Sequence, residues 1–196
     1  MLHVFDSIGA LTLAIEYHLA GKRFQLGLGA INRTRTAIQQ RLLSLPASEE
    51  LEISPPSSSQ PNIYECCRLT ALIYGVAVVY PIPNSHDVFQ ELVRRLMDAI
   101  QNVDIKMFGI DLFGVLLWMV VLGGIAALNT LERPWFASKL AFIVRRLDIE
   151  EWAEMENILD TFLWLECACS QAGRELWDEA LAVADSAASR LTPDIG

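Results

Sequence analysis

Ser85-His86-Asp87 carries the three residue types of an acyl-transfer relay in consecutive positions. Such a relay needs nucleophile, base and orienting carboxylate to converge through hydrogen bonds, and three successive residues cannot line up that way. Ser85 and Asp87 suit the first turn of a helix instead. Cys66-Cys67 and Cys167-x-Cys169 offer thiolates, yet neither has the C-x₂-C spacing of zinc sites. His3, His18 and His86 lie far from them along the chain. The cysteines therefore read as reduced thiols packed as small hydrophobes in an intracellular protein, not as a metal site. Gly27-x-Gly29 is followed by Asn32 where a dinucleotide fingerprint requires its third glycine, and no βαβ pattern surrounds it. Glu150, Glu151, Glu154 and Glu156 supply clustered carboxylates at a spacing that fits a solvated first helical turn, favoured by the helix dipole. These motifs lead to no catalytic residue, no metal site and no cofactor.

The elements that must position these residues are helical almost throughout. Asp6 or Ser7 is placed to cap a first helix that Gly21 ends. Ile31, Ile38, Leu42 and Leu45 mark one face of a second, stopped by Pro46. Residues 46–61, rich in Pro, Ser and Glu, read as a flexible linker. Asn62-x-x-Glu65 then has the pattern of a capping box opening a largely buried helix that Pro81 and Pro83 terminate. Phe89, Leu92, Val93, Leu96, Met97 and Ile100 form the cleanest amphipathic stripe, with Gln90, Glu91, Arg94, Arg95 and Asp98 opposite. Pro134 suits the first turn of a helix bearing Leu140, Ile143, Val144 and Leu147. Asp148-x-x-Glu151 is placed to cap another, with Trp152, Met155, Leu159, Phe162 and Leu163 facing inward. Gly173 breaks or kinks the descent towards Trp177. No period-two alternation and no internal repeat stand out. The expected fold is all-α, an irregular multi-helix bundle around a buried central apolar helix. Its expected organisation is N-terminal helices over 1–45, the linker over 46–61, a helical core over 62–185 and a tail over 186–196.

That central helix is the uncharged run from Leu112 to Leu128, seventeen residues long. A membrane span needs about 20 apolar residues for a ~30 Å hydrocarbon core, and this run reaches only about 25 Å. Asp111 and Asn129 close its ends, and Lys106 and Arg133 flank it on either side without a positive-inside bias. A core helix fits better than a membrane protein built on residues 69–83 and 112–128. Composition agrees: 53% of the chain is hydrophobic, 20% is charged, and the mean hydropathy is +0.32. Such a hydropathy suits a helical core, and equally a fragment whose partner covers an exposed face. The N-terminus lacks the basic region of a signal peptide, so the sequon at Asn32-Arg33-Thr34 carries no weight.

Charge is unevenly spread. Residues 1–45 hold five basic and two acidic groups, whereas the stretch from Asp148 onward holds twelve acidic and two basic. With a net charge of −9 the chain would repel a phosphate backbone, and Arg33, Arg35 and Arg41 make a solvated helix face rather than a nucleic-acid patch.

Several ordered blocks carry a resemblance. Arg-Thr-x-Ile-Gln-Gln-Arg-Leu-Leu-Ser-Leu-Pro from Arg35 to Pro46 is followed by Tyr64-Glu65-Cys66-Cys67-Arg68-Leu69-x-Ala71-Leu72-Ile73-Tyr74. Leu116-Leu117-Trp118, Gly123-Gly124-Ile125-Ala126-Ala127 and Arg133-x-Trp135-Phe136 come next. Phe162-Leu163-Trp164-Leu165 and Leu176-Trp177-Asp178-Glu179 close the series. From about Arg35 to Glu179 the chain resembles a fungal-specific transcription factor domain, the effector-responsive region of fungal binuclear zinc cluster regulators. The resemblance implies a nuclear regulatory role without catalysis. It also implies protein partners in the transcription machinery or a homodimer, a small-molecule effector, and no membrane. The six-cysteine DNA-binding module of such regulators has no counterpart here, and the chain reads as starting inside the regulatory region. DNA-binding residues are therefore carried over to no position. Trp118, Trp135, Phe136, Trp164 and Trp177 are the candidates for an effector pocket, because such pockets are mostly apolar and aromatic; an ordinary helical core explains them as well. The competing reading is a stand-alone helical protein-interaction domain.

Overall fold

The computed structural model describes residues 2–19, 28–47, 63–79, 86–103 and 110–191. Among them run helices α1 (Leu2–Leu19), α2 (Leu28–Leu43), α3 (Ile63–Tyr74), α4 (His86–Gln101) and α5 (Ile110–Ala126). They continue with α6 (Arg133–Leu147), α7 (Trp152–Leu159) and α8 (Glu166–Leu191), and a π-helical turn, Gly75–Val79, extends α3. The described residues contain no strand, and the fold is all-α as expected.

At the centre lies α5. Every residue from Leu116 to Gly124 is buried, because α3, α4, α6, α7 and α8 all pack against this helix. A helix with neighbours on every side has no polar face, which explains the uncharged run. No helix among the described residues is long and apolar enough to cross a membrane. The expected stripe of α4 faces this core, with Val93, Leu96 and Ile100 fully buried and Phe89, Leu92 and Met97 at the margin. Trp118 places an indole in the middle of the apolar helix. Its Nε1–H is satisfied by the Leu163 carbonyl at 2.9 Å, as a buried donor requires.

Glycine sets the spacing between α5 and α8. A Cβ on Gly124 would stand 2.3 Å from Leu176 Cδ2, so α8 approaches α5 more closely than any side chain at that position permits. The same seam holds Arg133, which is buried at the start of α6. Its Nη1 donates to the Gly124 carbonyl at 2.6 Å, while Nε and Nη2 each reach Glu179 at 2.9 Å. One guanidinium thus ties α5, α6 and α8 together, with its charge matched and its donors used.

α1 and α2 pack on each other and on the π-turn, and α2 also meets α3. The π-turn breaks the regular ladder, and the Val79 carbonyl accepts from Arg35 Nε of α2. On α3, Arg68 and Glu65 form a buried pair at 2.6 and 2.8 Å.

Several boundaries differ from the sequence expectation. Asp6 and Ser7 lie inside α1 rather than capping it, because no Gly or Pro interrupts the four residues after Met1. Asp148 does not cap α7. It adopts the left-handed conformation (φ 56, ψ 42) that closes α6, which short polar residues tolerate. The cap of α7 comes three residues later, where Glu151 is extended and Glu154 Oε2 accepts from the backbone N–H of Glu150 and Glu151 at 2.9 and 3.2 Å. α7 ends at Leu159, so Phe162 and Leu163 face inward from the turn beyond it. Gly173 does not break the last helix. α8 runs through it because a Cβ there would stand 2.8 Å from Trp152 and 3.1 Å from Trp164, so the missing side chain makes room for two indoles. α5 begins at Ile110, one residue before Asp111. α8 continues to Leu191, into the segment read as a tail. The stops at Gly21, Pro81 and Pro83, the cap at Asn62, and most of the 46–61 linker lie outside the described residues.

Candidate functional site

Gly9, Thr12, Leu13 and Glu16 recur at i, i+3, i+4 and i+7 and so share one face of α1. That face looks across a cavity of about 630 Å³ at the turn linking α7 to α8 and at the first turn of α8. The turn is tight: the Asp160 N–H bonds to the Glu156 carbonyl at 2.9 Å and the Phe162 N–H to Leu159 at 2.9 Å. It presents Asp160, Phe162, Leu163 and Trp164 to the cavity, and α8 adds Glu166 and Cys167.

Three carboxylates, those of Glu16, Asp160 and Glu166, thus line one cavity, and none of its lining residues among those described is basic. Partial burial and then the charges of Asp160 and Glu166 push the Glu16 carboxyl up from its ordinary range. Asp160 is pushed up likewise, by burial first and then by Glu156 and Glu166. Trp164 is 4% exposed, and its indole N–H is buried without an acceptor among the described residues.

A second cavity of about 290 Å³ lies beyond. Tyr74, Phe89, Leu122, Ile125 and Cys169 contribute to its largely apolar lining. The Tyr74 hydroxyl meets Thr12 Oγ1 at 2.9 Å, and Thr12 lines the first cavity. The first turn of α8 contributes to both cavities, Glu166 and Cys167 to the first and Ala168 and Cys169 to the second. Burial raises the Tyr74 hydroxyl well above its ordinary value, so it remains a neutral phenol.

Of the five aromatic residues singled out from the sequence, Trp164 lines the larger cavity. Trp118 is buried in α5 and stacks on Phe162 with centroids 6.0 Å apart. Phe136 is buried, and the half-buried Trp135 meets it edge-on at 4.9 Å. Trp177 is buried on α8. The sequence reading missed Glu16, Asp160 and Glu166. Only the helical spacing of Glu16 from Gly9 was legible, since convergence of the three acids depends on packing.

Ser85 lies outside the described residues, and His86 opens α4. All four cysteines are free thiols; burial pushes Cys66 up to about 12 and Cys67 and Cys169 up to about 11. At neutral pH these three are thiols rather than nucleophilic thiolates. Glu156 accepts from Trp152 Nε1 at 3.1 Å and from Ser170 Oγ, so it joins α7 to α8. Among the described residues no group of three His, Cys, Asp or Glu is placed to hold a metal ion.

No curated protein and no solved structure matches this chain. One family model does, over residues 3–161, which takes in α1 to α7. It reaches further towards the N-terminus than the blocks beginning at Arg35, and it stops before those at Phe162–Leu165 and Leu176–Glu179. α5, which carries Trp118 and Gly124, α6, which opens on Arg133, and α1, which lines the larger cavity, all fall within the matched range, and on that match the chain belongs to the fungal specific transcription factor domain family.

Proposed function

We propose that this chain is the regulatory domain of a fungal transcription factor, a non-catalytic module of the nucleus that acts through other proteins. The observation that carries the reading is the family match over residues 3–161. The acidic balance supports it: a net charge of −9 favours contact with protein partners, either the transcription machinery or a second copy, over direct grip on a phosphate backbone. The 630 Å³ cavity supports an effector, being of the size that small-molecule sites take. Trp164 is the one aromatic candidate carried into that effector reading.

The test is a fusion of residues 1–196 to an unrelated DNA-binding domain in a fungal host. Expression of a reporter under that domain's operator should change. A fusion that is expressed and folded yet leaves the reporter unchanged would favour a helical interaction domain unconnected with transcription.

A further inference from the structure

We propose that the outward faces of α6 and α8 are the two halves of a self-complementary surface, on which a second copy of this chain docks with its α8 against α6 and its α6 against α8. A second copy is one of the protein partners in the regulatory reading above. Only its effect on transcription rests on that reading; self-association does not.

The outward face of α6 combines exposed apolar surface with positive charge. Burial of Phe136, Leu140, Ile143 and Val144 turns the opposite side of the helix to solvent. That side carries Trp135, Lys139, Phe142 and Arg146 at i, i+4, i+7 and i+11. Phe142 is 51% exposed in the middle of this stripe, and Leu131, in the turn leading into the helix, is 94% exposed. Lys139 sets its ammonium 5.3 Å from the centre of the Trp135 ring, and exposed Arg145 adds a third cation. On α4, by contrast, exposed Arg94 pairs with Glu91 of its own helix at 2.7 Å. α6 has no such recourse, because none of its fifteen residues is acidic. In a chain with 24 acidic and 15 basic residues, that separation of charge belongs to this face and not to the composition.

The complement lies on α8 of the same chain. Gln171, Glu175, Asp178, Ala182 and Asp185 are all exposed and follow one another at spacings of four, three, four and three residues. That is the repeat of a helix seam open to a second helix. Its acids are opposite in sign to the α6 cations, and Ala182 leaves room among them for an aromatic ring such as that of Phe142. α6 and α8 pack on each other and run antiparallel, Arg133 at the start of α6 meeting Glu179 late in α8. A two-fold axis along the pair therefore opposes each helix to the other helix of the second copy, and both contacts form at once in a closed dimer. Two copies at −9 repel each other overall. At physiological salt that repulsion is screened beyond about 8 Å, whereas opposed side chains meet well inside that distance.

The experiment measures the mass of the purified chain by analytical ultracentrifugation at about 150 mM salt. The parent should move from 21.9 kDa towards twice that mass as its concentration rises to about 100 μM. Phe142→Ser, an exposed change, should weaken the dimer about tenfold or more and leave the melting temperature unaltered. Lys139→Glu with Arg146→Glu, and separately Glu175→Lys with Asp178→Lys, should each be folded by circular dichroism and monomeric. Mixed together, the two charge-reversed chains should dimerise again, since each then offers the other the opposite sign at both contacts. A parent that stays monomeric at about 100 μM overturns the proposal, as does a dimer that survives either reversal. So does a dimer unweakened by Phe142→Ser, which decides the matter if a reversed chain fails to fold, and so do folded reversed chains that stay monomeric on mixing. A monomeric parent that binds duplex DNA or anionic vesicles through Lys139 and Arg146 would give the face to phosphate instead and overturn it too. A dimer with a silent reporter fusion would remove the transcriptional reading alone. An active fusion of a monomeric chain would remove the second copy alone.

Discussion

The seam between α5, α6 and α8 and the chamber between α1 and the α7–α8 turn treat charge in opposite ways. In the seam, buried Arg133 finds Glu179 and the Gly124 carbonyl, and the surrounding surfaces close tightly on Leu176 and Phe136. In the chamber, three carboxylates line one cavity and, among the described residues, no basic side chain joins them and the Trp164 indole N–H has no acceptor. The first region is arranged to hold the fold together. The second gives up local stability to the burial of its acids and the repulsion among them.

Truncating the central indole of α5 should give the largest effect. Trp118→Ala removes a fully buried side chain and leaves the Leu163 carbonyl without its partner. Large-to-small changes of this kind cost about 3–5 kcal/mol, a large part of the roughly 5–15 kcal/mol that holds a domain folded. Urea denaturation should show that loss. A cost below about 1 kcal/mol would mean that the core around α5 is loosely packed.

Gly124→Ala should come next. Its new Cβ would meet Leu176 at 2.3 Å, and Leu176 is itself fully buried, so neither side has room to give. Overpacking costs about 1–3 kcal/mol, read as a lower melting temperature. An unchanged melting temperature would show that α8 slides freely on α5.

The smallest effect belongs to the chamber, and its sign is opposite. The Glu16 carboxyl holds its proton more tightly in the folded chain than in the unfolded one, where its ordinary value is 4.5. The folded state therefore binds more protons, and stability from this group is fully present below that value and is lost as pH rises through the raised folded value. Glu16→Gln, neutral at every pH, should raise the melting temperature relative to the parent at pH 7. That gain should vanish near pH 4. A variant less stable than the parent at pH 7 would mean that Glu16 is paired rather than repelled.

Legibility differed between the two regions in the same way. The parts of the seam, though not their meeting, could be picked out because they lie in ordered blocks: an uncharged run, paired glycines, Arg133-x-Trp135-Phe136 and a closing Glu179. The chamber could not. Glu16 reads as an ordinary polar residue of an amphipathic helix, Asp160 as a helix end and Glu166 as a helix start. Even the α7 cap was placed a turn too early, since Asp148 and Glu151 are both plausible caps until the backbone shows Asp148 closing α6.

Local rules acting over a few residues were enough to make this chain helical, to give α4 its buried face and to leave α5 uncharged on all sides from Leu112 onward. Helical periodicity and the absence of alternating strands are properties of neighbouring residues, and they survive any arrangement of the helices. Tertiary structure alone decided that Gly173 would admit two indoles instead of ending a helix. It alone decided that Arg133 would meet Glu179, and that three carboxylates from distant segments would face one cavity. Those outcomes depend on which helix faces pack together, and burial energy summed over the whole core selects that arrangement.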